Sequence, residues 1–500
     1  MNSPEDSNFP VCDLRSALEF LKQIPGEYIE TSEPVDPHAE LSGVYRYVGA
    51  HGTVMRPTQL GPAMVFNKVK GYDDVRVAIG VLASRKRVAA LMNTTQEKVA
   101  FMFKDAVATP IAPVVVSAEK ALCQEVVHRA IDPDFDILKI LPAPTNTEHD
   151  AGPYFTMGLV YAEDPENGQH DVTIHRLCVQ GKDEISIFLQ PGGRHIDVFR
   201  KKAEAAGKAL QVSISMGVDP AIYIGTCYEA PTTPLGYDEL GVAGSIRQKA
   251  VELVQCLTIN GRGIANAEIV IEGEVLPEMR VEEDQHTHTG YAMPEFPGYN
   301  GVANPSLPII KVKAITHRRS PILQTCIGPS EEHCSMEGIT TESSILTMVE
   351  RAMPGFVKNV HNPAPGNGKY LSIIQVKKLQ PVDEGRQRQA ALLAFAAFSE
   401  LKHIILVDED VDIFDLSDVM WAMTTRYQGD VSTIFIPGVR CHPLDPSSDP
   451  AFSHSIRDHG IACKTIFDCT VPFALKGKFQ RSEFMEVDVS RFIPGFPKHQ

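Results

Sequence analysis

The chain has 500 residues, 43% hydrophobic and 22% charged, which suffices for two or three packed domains without disulfide support. A formal charge of −16 speaks against a nucleic-acid or anionic-membrane partner, since both need a basic footprint. Ten scattered cysteines with no CxxC pair read as buried reduced thiols. With a polar N-terminus and no apolar run of spanning length, the chain reads as cytoplasmic, with no membrane partner.

Residues 1–10 read as a polar tail. Asp13 predicts a helix cap with Leu14, Ala17, Leu18 and Leu21 on one face. Thr94 and Glu97 have capping-box spacing and predict a second helix start. Its inward positions are Val99, Met102, Phe103 and Ala106, and Pro110 and Pro113 end it. Residues 1–125 thus form a small α/β unit, followed by a Pro/Asp-rich connector over 126–150.

Strand patterns follow at 154–162, 171–180, 185–190, 212–216, 222–227, 267–272 and 309–316, with helices at about 196–206 and 238–248. Residues 126–320 therefore read as mainly β. The last third, 321–500, alternates: helices at about 341–353, 386–401 and 417–426, strands at 370–377 and 404–407. The expected fold class is α/β (α+β): an N-terminal α/β unit, a central mainly β domain and a C-terminal α/β domain.

Some polar residues do not fit these patterns. In DVTIHRLCV, Arg176 shares a strand face with Val172 and Ile174, which is costly unless it meets an anion. Arg194 and His195 close the turn PGGRH before a helix, an anion or metal locus. Glu239 stands at the start of another helix. Asp171, His195 and Glu239 make a mixed oxygen and nitrogen set suited to a divalent ion, and the same residues also fit surface acids and a helix-capping histidine.

The segment 282–301 is rich in His, Gly and Pro and fits neither helix nor strand. Within it Glu295 lies between two prolines in an apolar setting, where desolvation favours the protonated acid. GNGK (366–369) exposes Lys369 without forming a Walker loop, and His333 and His442 stand in turn-like contexts. Asp408, Glu409, Asp410 and Asp412 lack EF-hand spacing and read as a structural cluster at a strand end.

DVTIHR, GGRH, GYDELGVAG, PEFPGY and LVDEDVDIFD, in this order, resemble the UbiD decarboxylase family. The likeness runs from ELSGVYRYVGAHGTVMRPT to FDCTVPF and is closest to gallate and protocatechuate (3,4-dihydroxybenzoate) decarboxylases. It implies a split-barrel-like flavin domain over 126–320, and a 321–500 domain for substrate and oligomerisation. It also implies prenylated FMN from a flavin prenyltransferase, a divalent ion such as Mn2+, and K+. The metal positions fall on Asp171, His195 and Glu239, with Asp171 where many members have Asn.

Ile174, His175, Arg176, Arg194, His195, Glu239 and Lys402 match cofactor-contacting positions. Glu295 matches the catalytic acid, with Arg176 as its support; Arg194, His333, Lys369 and His442 match substrate-facing positions. Gly290 stands where the cinnamate branch has a second Glu. The implied reaction is non-oxidative decarboxylation of gallate to pyrogallol, of protocatechuate to catechol, or of both, with carboxylation as the reverse. A histidine of ordinary pKa would take the phenolic proton. The implied assembly is a homodimer or hexamer. Other readings are decarboxylation of 4-hydroxybenzoate or a heteroaromatic acid, an FMN-dependent oxidoreductase, and a non-catalytic flavin-binding protein.

Overall fold

The structure, a computed structural model, describes residues 11–190 and 195–495. Asp13 caps the helix Leu14–Lys22 by accepting from the Ser16 amide, and Leu14, Ala17, Leu18 and Leu21 are buried. The second predicted helix starts later than expected, spanning Val99–Ala108, and has no side-chain cap. The Lys98 and Val99 amides both donate to the Thr95 carbonyl, so Thr94–Glu97 is spent on an entry turn. Val99, Phe103 and Ala106 are buried as the periodicity requires.

The N-terminal helices pack on a four-stranded sheet ordered Tyr28–Thr31, Ala63–Phe66, Arg76–Ile79, Ile322–Thr325. The last strand comes from far along the chain. Glu268 secures this junction. It is fully buried, takes two hydrogen bonds from Arg15 (2.7 and 2.9 Å), lies 3.2 Å from Arg318, and accepts from the Ile322 amide.

The centre is a closed antiparallel barrel. Its order is Ile269–Val281, Leu210–Met216, Tyr154–Glu163, His170–Gly181, Glu184–Ile187, Leu307–His317, and the last strand pairs back onto the first. Closure leaves no open edge among these strands. Alternate residues of Tyr154–Glu163 serve two cores: Val160 and Ala162 pack in one, Leu159 and Tyr161 in the other. Gly158 is needed at one crossing, where a Cβ would lie 2.5 Å from the Leu177 side chain.

Further expectations differ from the structure. Residues expected as a strand at 222–227 lie in and just beyond the helix Pro220–Gly225: Asp219 caps it, Pro220 starts it, and every residue is buried, so alternation is uninformative. The 126–150 connector contains Val126–Arg129, which pairs with Leu307–His317, and a one-turn helix Ile137–Ile140 capped by Asp136. The 282–301 loop holds a small hairpin, Tyr291–Pro294 with Asn300–Val302. The helix expected at 341–353 begins at Glu331 and runs to Ala352. Its first half is polar yet buried by other elements, as when Glu332 accepts from the Gly80 and Leu82 amides, so its apolar period is hidden.

The C-terminal sheet is ordered Val357–His361, Leu371–Val376, His403–Asp408, Ile461–Asp468, Thr433–Arg440. At its rim Asp408 and Asp410 both pair with Arg426, and Glu409 pairs with Lys377, which makes the acid run a structural cluster. All ten cysteines are free, although Cys12 and Cys463 are exposed rather than buried. Among the described residues no helix is long and apolar enough to cross a membrane.

Replacing Glu268 by Ala removes the buried carboxylate shared by Arg15, Arg318 and the Ile322 amide, leaving Arg318 with Asp13 and Arg15 with the Arg319 and Ser320 carbonyls. The expected loss is about 1–3 kcal/mol of stability, read from denaturant unfolding. A loss below about 1 kcal/mol would remove Glu268 from this role.

Candidate active site

One barrel strand, His170–Gly181, connects two polar sites. Near its start stands Asp171. His195 opens the helix His195–Ala205 and places Nδ1 3.0 Å from Asp171 Oδ1. Glu239 opens the helix Leu240–Arg247 and is 4% exposed. One ligand atom from each of the three lies within 4.8 Å of the others, and no other such group occurs among the described residues. Burial, with the nearby Asp171 charge, holds the Glu239 carboxyl well above the usual carboxylate range. A divalent cation would relieve both penalties, so the donor set fits a metal.

Five residues on, about 16 Å along the strand at 3.3 Å per residue, stands Arg176. Its Nε and Nη2 donate to both oxygens of Glu283 at 2.9 and 2.7 Å, while Nη1 donates to Glu295 Oε1. Glu283 is fully buried and also accepts from the Tyr154 hydroxyl and the Asn304 amide. Burial works against the guanidinium charge, but Glu295 and Glu283 outweigh it and hold the Arg176 pKa above its ordinary value. The Phe188 ring covers the guanidinium at 4.3 Å.

Glu295 is therefore not an isolated acid in an apolar setting, as its flanking prolines suggested; a fixed cation holds one of its oxygens. The tip of its hairpin positions it: the Glu295 amide donates to the Tyr299 carbonyl, and Gly298 takes a φ of 89°. Gly301 leaves it room, because a Cβ there would lie 2.7 Å from Glu295 Cγ.

Arg176 and Glu295 line a cavity of about 160 Å³, close to the volume that holds one benzene-sized ring. Ile174, His175, Phe296, His333, Glu337, Lys369 and His442 line it too. The His175 Nδ1 lies 3.1 Å from the Phe188 carbonyl oxygen. Phe296 stacks on His333 at 5.0 Å and meets His442 edge-on at 4.7 Å. The GNGK turn brings Lys369 in, with Asn367 and Gly368 at φ 57° and 75°. Gly368 presses so close to the His333 helix that a Cβ would lie 2.8 Å from the Cys334 carbonyl oxygen.

Lys369 is 2% exposed, and its Nζ lies 3.1 Å from Glu400, 3.4 Å from Glu337 and 3.7 Å from Glu229. His442 Nδ1 accepts from the Leu444 amide at 3.0 Å, which puts the neutral ring's hydrogen on Nε2, 3.5 Å from Glu400. Burial, with the Lys369 charge beside it, pushes His333 down to about 3. Its imidazole is thus neutral at pH 7 and is not the ordinary-pKa base expected from sequence. The His333 Nδ1 is buried with no hydrogen-bond partner.

Asp171, His195 and Glu239 thus form one group, and Ile174, His175, Arg176, Glu295, His333, Lys369 and His442 share one cavity. Lys402 is drawn elsewhere: Nζ pairs with Asp445 at 2.6 Å and with Ser447, while the cavity wall passes through His442 and Leu444. Arg194 lies outside the described residues. Sequence reasoning did not single out Glu283, Phe296, Glu337 or Glu400. Glu283 and Phe296 lie within the 282–301 segment, a usable signal; Glu337 sits inside a helix and Glu400 in the turn after one, where nothing marks a site.

The comparisons with known proteins agree along the chain. Residues 19–106, 114–331 and 334–469 match the N-terminal, Rift-related and C-terminal domains of 3-octaprenyl-4-hydroxybenzoate carboxy-lyase, the UbiD family. Gallate decarboxylase of Lactiplantibacillus plantarum is 53% identical over 95% of this chain and 97% of its own length. The apo 3,4-dihydroxybenzoic acid decarboxylase of Enterobacter cloacae superposes with a TM-score of 0.93 at 63% identity, covering 97% of this chain and 99% of that one. An evolved dimeric form of the UbiD-class enzyme HmfF from Pelotomaculum thermopropionicum, in complex with prFMN, gives 0.81 at 32% identity, covering 96% and 100%. With all three family domains matched in order, this chain belongs to the UbiD family of carboxy-lyases.

Proposed function

We propose that this enzyme removes CO2 without oxidation from a polyhydroxybenzoic acid, converting gallate to pyrogallol, 3,4-dihydroxybenzoate to catechol, or both. What supports this most is a ring-sized cavity in which an Arg–Glu pair shares the walls with a lysine and two histidines. The identities to gallate and 3,4-dihydroxybenzoic acid decarboxylases point the same way.

An aryl carbanion has no electron sink of its own, and prenylated FMN supplies one when bound. A flavin mononucleotide joins a planar ring to a phosphate, which suits a strand that runs from a metal triad to an aromatic cavity. Ile174, His175 and Arg176 would border the ring. Asp171, His195 and Glu239 would hold Mn2+ or a similar divalent ion, and K+ would be a second cation of the site.

Arg194 orients the substrate carboxylate, and Lys369, His333 and His442 bind ring hydroxyls. His333 serves as a neutral hydrogen-bond partner. Arg176 keeps Glu295 Oε1, so the other carboxyl oxygen carries the proton to the ring carbon that CO2 has left. The Phe296 and Phe188 rings form an apolar wall beside this transfer. The same path run backwards carboxylates a phenol.

This reading includes domains at 1–125, 126–320 and 321–500, a cytoplasmic enzyme, cofactor supply by a flavin prenyltransferase, and assembly as a homodimer or hexamer.

Glu295→Gln is expected to lower kcat at least about 10²-fold on 3,4-dihydroxybenzoate and gallate while bound-flavin absorbance persists. Full turnover by the loaded variant would overturn the role of Glu295. Mn2+ at about a hundredfold excess over its Kd is expected to stabilise the wild-type protein by about 2.7 kcal/mol in thermal unfolding. Glu239→Gln is expected to lose most of that gain; an equal gain in both proteins would sink the metal assignment.

A further inference from the structure

Lys369 brings a positive charge to its end of the cavity lining; Glu337 stands beside it there, and Glu229 and Glu400 approach Lys369 from outside the lining. Such a cluster repels a carboxylate and suits neutral hydroxyls. The three acids are not equivalent. Glu229 also lines the metal site. Glu400 is 8% exposed and lies against Lys369 and His442, outside the cavity lining. Glu337 lines the cavity itself.

Glu337 is held in register with the other groups. It follows His333 by four residues on one helix, so the two share a face. The next residue, Gly338, packs that helix onto the Lys369 turn: a Cβ there would lie 3.2 Å from the Asn362 carbonyl oxygen and 3.5 Å from Gly368 Cα. This packing fixes a carboxylate oxygen 3.4 Å from an ammonium nitrogen, both at the same ring-sized cavity.

A carboxylate only accepts hydrogen bonds, an ammonium only donates, and a phenolic hydroxyl does both. Two adjacent ring hydroxyls therefore complement this pair. We propose that Glu337 is a specificity-determining residue that accepts the hydrogen of one ring hydroxyl while Lys369 donates to its neighbour. This rests on the reading of the substrate as a polyhydroxybenzoic acid. A methyl ether at the Glu337 position has no hydrogen to give and sets a methyl group against a carboxylate. A site built to bond a hydroxyl can reject the analogue lacking it by about 10⁴-fold. Lys369 keeps Glu337 partly satisfied here, so the expected discrimination is smaller, at least about tenfold.

The test uses enzyme loaded with prenylated FMN, wild type and Glu337→Gln, with 3,4-dihydroxybenzoate and 4-hydroxy-3-methoxybenzoate. Gln keeps the shape and can present an N–H to the ether oxygen. The wild-type kcat/KM ratio should favour the dihydroxy acid, and the variant should reduce that ratio at least about tenfold. Calorimetric binding of catechol and 2-methoxyphenol to the same proteins should show the same change without turnover. A wild-type enzyme without preference, or a ratio unchanged in the variant by both measurements, overturns the assignment. If the loaded wild type decarboxylates neither gallate nor 3,4-dihydroxybenzoate, the proposed function falls and this inference falls with it. Turnover with an unchanged ratio removes only the role of Glu337.

Discussion

Burying a guanidinium in a barrel wall is the constraint from which the site follows. Arg176 cannot lose its proton, so the fold must bring acids to it. Glu283 meets that need in bidentate fashion and is itself fully buried and saturated with donors. The remaining Nη1 points to Glu295, whose hairpin thereby gains one orientation over the cavity. Without Glu283, Arg176 would have no reason to leave only one nitrogen for Glu295.

The barrel turns this local pairing into a site. Closure fixes the strand His170–Gly181 from both sides, so Asp171 at one end and Arg176 further along keep a set separation. Helix starts supply His195 and Glu239 at the Asp171 end. The C-terminal part supplies Lys369 and His442, and Phe296 packs against both histidines. In a chain of net charge −16, the two Arg and Lys side chains that line the cavity among the described residues, Arg176 and Lys369, are each paired with acids.

Much of the site was legible because its residues break a pattern. Arg176 interrupts an aliphatic strand face, His195 and Glu239 open helices, and Glu295 lies between prolines. Those features are local, and the structure gathers them. Lys402 shows the opposite case: a lysine before a strand looks available, yet Asp445, 43 positions later, captures it. The Pro220–Gly225 helix was misread because a fully buried segment has no periodicity to betray its type.

By itself the sequence determined the family, the three-part order of α/β, mainly β and α/β segments, and the candidate metal and cavity residues. These depend on residue type and short-range spacing. The tertiary structure decided which groups pair. Glu283 and Glu295 reach Arg176 from 107 and 119 residues away, and Glu337 meets Lys369 only where Gly338 and Gly368 let a helix and a turn touch. Such contacts depend on sheet register and on close backbone approach between distant segments, and no local pattern encodes either.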